Sequence, residues 1–163
     1  MKKIAKLMLA AVAVVAAGSS FSVSARSMGE NSEVALEAYN ANKLPSDAKA
    51  FLRAYYGHKY LKDCEYNDDN GNYEVTMSDG TEVEFNSRGQ VVEIEAADRE
   101  ALSAAVIENI LPSEAYAKLQ ELGYAGKIEK IEKDRRGYDI DLVKGTAVSE
   151  LFFARDGKLL ASR

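Results

Sequence analysis

Residues 71–95 read GNYEVTMSDGTEVEFNSRGQVVEIE, and this stretch decides the fold of the chain. Apolar residues alternate with glutamate or threonine in three short runs, which is the period-two pattern of half-buried β-strands. The runs are separated by Ser78-Asp79-Gly80 and by Asn86-Ser87-Arg88-Gly89, two typical turn sequences. Together with a further strand over residues 62–67, the pattern predicts a four-stranded antiparallel meander.

The residues that precede this meander follow the period of a helix instead. Between residues 48 and 55, apolar side chains recur at the i, i+3, i+4 and i+7 positions of an amphipathic helix: Ala48, Phe51, Leu52 and Tyr55. Pro45 suits the start of such a helix, Ser46 is predicted to cap it, and Gly57 is predicted to end it. A shorter helix is predicted upstream, over residues 32–41.

The same series of motifs occurs a second time, 65 to 68 residues further along the chain. Leu44-Pro45-Ser46 returns as Leu111-Pro112-Ser113, and Gly71-Asn72-Tyr73 is matched by Arg136-Gly137-Tyr138. In this second copy Asp98 is predicted to cap a first helix, and Ser113 is predicted to open a second one. Four strands are predicted after these helices, over residues 127–133, 137–143, 147–154 and 157–161.

An internal repeat of this kind indicates a tandem duplication with two similar halves. Each half is predicted to be a helix-loop-helix followed by a four-stranded antiparallel β-meander, with the helices packed on one face of the sheet. Helices that are followed by strands, rather than alternating with them, indicate an α+β fold. Whether the two sheets share an edge within the chain or between chains stays open at this point.

The first 25 residues contain the three parts of a signal peptide. Lys2, Lys3 and Lys6 are followed by an uncharged apolar run over residues 7–17, which is too short to span a bilayer. Val23-Ser24-Ala25 then predicts cleavage after Ala25, and no cysteine stands there to carry a lipid anchor. The predicted organisation is therefore a signal peptide over residues 1–25, a first half over 26–96 and a second half over 97–163.

The charge of the chain restricts the classes of partner. The chain has 21 basic and 26 acidic residues, and the predicted signal peptide holds three of the lysines and none of the acids. The exported part is therefore acidic, which argues against nucleic-acid binding, since that requires basic clusters. It also lacks the basic face that holds a protein on an anionic membrane. Periplasmic location and full secretion both fit, with no stable membrane anchor after cleavage.

The glycine–aromatic motif and its surroundings resemble a known family. The stretch from Gly71 to Gly89 and its echo at Phe153-Ala154-Arg155-Asp156-Gly157 are similar to the PepSY-like, β-lactamase-inhibitor-like family of small exported proteins from Bacteroidetes-type bacteria. The resemblance covers residues 44–163. It implies a binding or inhibitory role toward a peptidase or another hydrolase, in which the open face of the sheet meets the partner.

Few residues in the chain suit catalysis or metal binding. His58 is the single histidine and lacks a catalytic context, so a surface position is expected. Cys64 is the single cysteine, so neither zinc nor haem attachment is predicted, and its expected role is that of a small buried side chain. The run over residues 67–71 has the asparagines, aspartates and glycine of a hairpin turn, and it lacks the key carboxylates of an EF-hand loop. We therefore expect neither enzyme activity nor a cofactor.

The glutamates of the first meander are the most informative polar feature. If Val75, Val83 and Ile94 face the helices, strict alternation places five glutamates together on the opposite face: Glu74, Glu82, Glu84, Glu93 and Glu95. In the second half the corresponding positions are mixed, since they hold Lys130, Glu132, Asp139 and Asp141.

We predict that the five glutamates bind an envelope or secreted protein that has a basic surface. Three other interpretations of the same residues stay open. The glutamates would serve only solubility in the first of these. In the second, the carboxylates or the 67–72 loop would bind or sense a metal cation. The third is a hydrolase with paired carboxylates, which requires one acid in an apolar pocket.

Overall fold

The computed structural model of the chain describes residues 43–163. The predicted signal peptide and the predicted helix over residues 32–41 lie outside these residues. Within the described range, three α-helices and eight β-strands follow each other in the order α1 Ser46–Tyr56, β1 Leu61–Asn67, β2 Asn72–Met77, β3 Glu82–Phe85, β4 Val91–Glu95, α2 Ala104–Ile110, α3 Ser113–Glu121, β5 Ile128–Lys133, β6 Gly137–Leu142, β7 Glu150–Ala154 and β8 Leu159–Ser162.

All eight strands form one antiparallel sheet, in which each strand pairs with its neighbours in the sequence. The two predicted four-stranded meanders are therefore joined side by side within the chain, through β4 and β5. This junction consists of three cross-strand residue pairs, Glu93 with Glu132, Ile94 with Ile131 and Glu95 with Lys130. The α+β fold with its antiparallel meanders and its duplication is confirmed.

The core lies between the sheet and the helices, on one face of the sheet. Its central side chains come from five consecutive strands and are at most 2% exposed: Val83, Phe85, Ile94, Ile131, Ile140 and Phe153. The helices contribute buried residues such as Leu52 and Leu119, and the Phe51 ring meets the Phe85 ring edge to face at 5.7 Å. Burial of each such apolar side chain contributes on the order of 2 kcal/mol of hydrophobic free energy.

The helix starts differ in two places from the sequence prediction. The prediction of a helix capped by Asp98 is wrong, because α2 begins at Ala104 and Ser103 is its cap. The Ser103 hydroxyl accepts a hydrogen bond from the Val106 amide at 3.4 Å. The amide of Leu102 donates to the Ile128 carbonyl at 2.8 Å, which holds the preceding residues against β5 and out of a helix. Ser46 makes no capping bond either, since α1 starts directly after Pro45. None of the helices in the described part of the chain is long and apolar enough to cross a bilayer.

Candidate functional site

The face of the sheet opposite the helices is the candidate site. Val75, Val83 and Ile94 are almost completely buried under the helices, so the alternation turns their neighbours outward. The structure places all five predicted glutamates on this outward surface, which we call the open face: Glu74, Glu82, Glu84, Glu93 and Glu95. The grouping expected from the period-two pattern is therefore present.

The register of the strands aligns carboxylates across most of the open face. Starting at β1, each residue of one line is the direct cross-strand partner of the next, and the first six are all acidic: Glu65, Glu74, Glu84, Glu93, Glu132 and Asp139. We call these six residues the carboxylate row. In β7 the row meets Phe152, which is the cross-strand partner of Asp139. Glu65 is not among the residues predicted from the sequence, although it alternates with the buried Cys64 in the same way.

A second line of residues runs parallel to the carboxylate row and is mixed in charge. Its members, again direct partners from strand to strand, are Asp63, Thr76, Glu82, Glu95, Lys130, Asp141 and Glu150. Lys130 is the one basic residue among these seven, and it lies at the middle of the sheet. The open face thus carries a high density of negative charge on either side of a single lysine.

Lys130 compensates part of this charge. Its Nζ lies 2.6 Å from Glu93 Oε1 and 3.9 Å from Glu95 Oε2, so it contacts both lines of carboxylates. Burial lowers the pKa of Lys130, but the hydrogen bond and charge of Glu93 outweigh this effect, and the net shift is upward. Partial burial raises the pKa of Glu95, and the charge of Glu82 adds to the effect. Like charges that face each other across strands destabilise a sheet, so the remaining pairs cost free energy.

Asparagines at the hairpin between β1 and β2 hold two of the glutamates in place. The Asn67 side-chain amide donates to Glu74 Oε1 at 3.1 Å. Asn70 and Asn72 both donate to Oε1 of Glu84, at 3.1 and 2.8 Å. The sequence pattern predicts a turn at Asn67 and Asn70, with cation binding by the 67–72 loop as the alternative, and gives no role to their bonds with the glutamates. Their second role depends on the hairpin geometry, although the shared parity of positions 72 and 74 was a signal for it.

The other residues considered for chemistry do not form a site. His58 is exposed after the end of α1, and Cys64 is buried, where burial first and the charge of Asp63 second raise the pKa of its thiol. The run over residues 67–71 is the hairpin turn expected, with Gly71 at a φ of 74° and its amide bonded to the Asn67 carbonyl at 2.8 Å. Among residues 43–163, no three His, Cys, Asp or Glu side chains are arranged to hold a metal ion.

Comparisons with known proteins agree with this architecture. A family model described as "Putative beta-lactamase-inhibitor-like, PepSY-like" matches residues 33–91 and again residues 71–161. No curated protein shows a significant sequence match to the chain.

Two solved structures of Bacteroides proteins are similar in fold. One is described as a "putative periplasmic protein of unknown function" from Bacteroides vulgatus, with 28% identity, a TM-score of 0.59, and coverage of 75% of this chain and 93% of that one. The other is described as a "putative calcium-regulated periplasmic protein" from Bacteroides thetaiotaomicron, with 23% identity, a TM-score of 0.58 and coverage of 75% and 91%.

Proposed function

We propose, on the premise that this chain belongs to the PepSY-like, β-lactamase-inhibitor-like family, that it is an exported, non-enzymatic binding protein of the cell envelope. Its open face docks onto a protein with a basic surface, in an inhibitor-like manner toward a peptidase or another hydrolase. The observation that carries the proposal is the carboxylate row, six acidic residues in direct register across six strands.

The physical chemistry of the open face favours a charged partner. Aligned carboxylates on one face attract cations from a distance and raise the association rate of a basic protein. The same alignment costs folding free energy through repulsion between strands. Basic side chains of a partner would relieve this repulsion, so the cost in the free protein becomes a gain in the complex. Such binding weakens as salt screens the charges.

Export is supported by two separate observations. Residues 1–25 have the composition of a signal peptide, and the descriptions of both solved neighbours name a "putative" periplasmic protein. The family description points to binding rather than to catalysis. The periplasm or the space outside the cell is therefore the place where we expect the partner.

The proposal is tested with two variants that carry the same change of charge. In the first, the five predicted glutamates become glutamine: Glu74, Glu82, Glu84, Glu93 and Glu95. In the control, five exposed acids outside the sheet are neutralised: Asp98, Glu100, Glu108, Glu114 and Glu121. Wild type and both variants are used to capture proteins from an envelope extract at low and moderate salt. Each captured protein is then purified, and its affinity is measured against all three.

We expect a basic envelope or secreted protein that binds wild type and the control variant and loses most of its affinity for the open-face variant. If the captured protein is a hydrolase, its activity is measured with and without the three chains. Equal affinity for both variants would show that the open face is not the docking surface. Absence of any enriched protein at both salt concentrations would reduce the glutamates to a solubilising role.

A cation-binding function is the second candidate. A concavity of about 270 Å³ on the open face is lined by four of the five glutamates, Glu74, Glu82, Glu84 and Glu93. One solved neighbour carries calcium regulation in its description, although its identity of 23% relates the fold alone. Calorimetry with calcium and zinc separates the two functions. Binding weaker than millimolar leaves only nonspecific attraction to acidic residues.

A further inference from the structure

A pocket of about 280 Å³ opens at the end of the carboxylate row. Asp139 and Phe152, which are cross-strand partners, both line it, and so do Arg136 and Arg163. An aromatic ring therefore stands next to the last carboxylate of the row. This combination of an acid and an aromatic ring differs from the rest of the carboxylate row, where each carboxylate has another carboxylate as its cross-strand partner.

Asp139 has an unused acceptor in this pocket. Its Oδ1 atom is buried and has no hydrogen-bond partner among the described residues. A buried carboxylate oxygen without a donor is unfavourable, because the lost water contacts are not replaced. The terminal torsion of an aspartate is broad, so a partial rotation of the carboxyl group can bring both of its oxygens within reach of a donor that enters the pocket. A cationic donor would recover the most free energy, since charge-assisted hydrogen bonds are the strong ones.

Phe152 already binds a cation of the chain itself. The guanidinium of Arg163 lies over the Phe152 ring, 5.0 Å from its centre, and its Nη1 is 3.4 Å from Glu150 Oε2. The open face thus holds a guanidinium by the two contacts that such a group prefers, an aromatic ring and a carboxylate. The Arg163 side chain is 74% exposed, so this contact is loose and a competing group can replace it.

We propose that this pocket receives an arginine side chain of the basic partner, whose guanidinium stacks on Phe152 in place of Arg163 and donates to Asp139. The inference rests on the proposed function and names the chemical group that anchors the partner. Arginine fits better than lysine, because its planar group stacks on a ring and donates to a carboxylate at the same time. The carboxylate row that leads to the pocket accommodates further basic residues of the same segment.

The experiment uses a peptide probe with a matched neutral control. The protein is produced from the full sequence with 15N labelling and titrated with acetyl-Gly-Arg-Gly-amide, and separately with the same peptide containing citrulline. Citrulline has the shape of arginine without its charge. We expect the arginine peptide to shift the amide resonances of Asp139, Phe152 and Arg163, and the citrulline peptide to leave them in place.

Variants then assign the two contacts. Asp139→Asn is expected to lower the affinity for the arginine peptide about tenfold. Asp98→Asn, the same substitution in an exposed turn, is expected to change this affinity less than twofold. Arg163→Gln removes the internal competitor and is expected to raise the affinity a few-fold. Arg155→Gln removes an equal charge from the exposed turn between β7 and β8 and shows how much of that gain is long-range attraction.

The outcomes separate this inference from the function on which it rests. Equal binding of the two peptides, or equal effects of Asp139→Asn and Asp98→Asn, would overturn the arginine pocket. Shifts confined to Glu74, Glu84 and Glu93 would also overturn it, but they would leave docking of a basic partner on the open face intact. A loss of peptide binding in Asp139→Asn with unchanged capture of the protein partner would place the anchor of that partner elsewhere.

Discussion

Gly89 lies so close to Ala48 that a Cβ atom on the glycine would stand 2.6 Å from the Ala48 amide nitrogen. The turn between β3 and β4 is thereby packed against the first turn of α1. Gly157 has the same relationship to Ala115 in the second half, where the corresponding distance is 2.8 Å. Each half therefore fixes the start of one helix on a glycine of its own meander, which explains why both copies of the repeat have glycine there.

Substitution of this glycine by alanine is the first prediction. Gly89→Ala is expected to lower the free energy of unfolding by about 1 kcal/mol through its φ of +80°, and by about 1 to 3 kcal/mol more through the close approach to α1. Gly145→Ala is the control, because its φ is +97° but no atom lies within 4 Å of the added Cβ. Urea unfolding with an unchanged m value measures both. Equal losses in the two variants would contradict the role of the contact.

The second prediction concerns repulsion in the carboxylate row. Glu74 faces Glu65 on one side and Glu84 on the other, so Glu74→Gln relieves two like-charge pairs. We expect the variant to be more stable by about 0.2 to 1 kcal/mol at low salt, with a smaller gain as the salt concentration rises. Glu100→Gln, outside the sheet, serves as the control. A loss of stability on neutralising Glu74 would show that its bond from Asn67 outweighs the repulsion.

The third prediction tests the lysine at the centre of the open face. Lys130→Met is expected to lower the free energy of unfolding by about 1 kcal/mol, because Glu93 and Glu95 lose the cation that they share. The loss is no larger because both ion pairs are partly exposed to water in the wild type. Lys130→Arg keeps the charge and is expected to retain most of the stability. A double-mutant cycle with Glu93→Gln measures the coupling. Additive effects of the two substitutions would mean that the ion pair between Lys130 and Glu93 contributes no interaction free energy to stability.

The fourth prediction is a pH dependence of stability. Burial and neighbouring acids raise the pKa of Asp139 and of Asp141 above 3.8 in the folded protein. The folded state then binds protons more tightly than the unfolded state, so the contribution of both groups to stability falls as the pH rises from 3.8 through the raised values. Asp141→Asn is expected to remove the part of this fall that Asp141 contributes, so the stability of the variant relative to wild type increases toward neutral pH. Urea unfolding over a pH series measures it, with Asp98→Asn as the control; parallel curves for wild type and Asp141→Asn would contradict the prediction.

The sequence was sufficient to predict which side chains of each strand face the core and which face outward. A side chain in a strand has only two directions, so the buried Val83 determines that Glu82 and Glu84 face outward. The turns at Gly80 and Gly89 likewise have a local signal, since both glycines adopt positive φ. Strand faces and turns are determined by residues close together in the chain, so a sequence pattern can predict them.

The remaining features depend on contacts between distant segments. Nothing in the composition of β4 and β5 specifies that they pair with each other rather than with another chain. The sequence pattern predicts the start of α2 in the wrong place because Asp98 and Ser103 are both good caps, and the bond of Leu102 to β5 decides between them. The pocket at Asp139 could not be predicted either, because Phe152 reaches it from β7 and Arg163 from the position directly after β8.

The pairing of β4 with β5 also bears on how such a protein could arise. A chain containing one half alone would end its sheet at β4, with a row of unpaired backbone amides and carbonyls beside Ile94, a template for aggregation with any other strand. Fusion of two halves turns both of these vulnerable borders into the interior of one sheet. Duplication thus gave the protein more than a larger surface, because each half covers the edge strand through which the other half would aggregate.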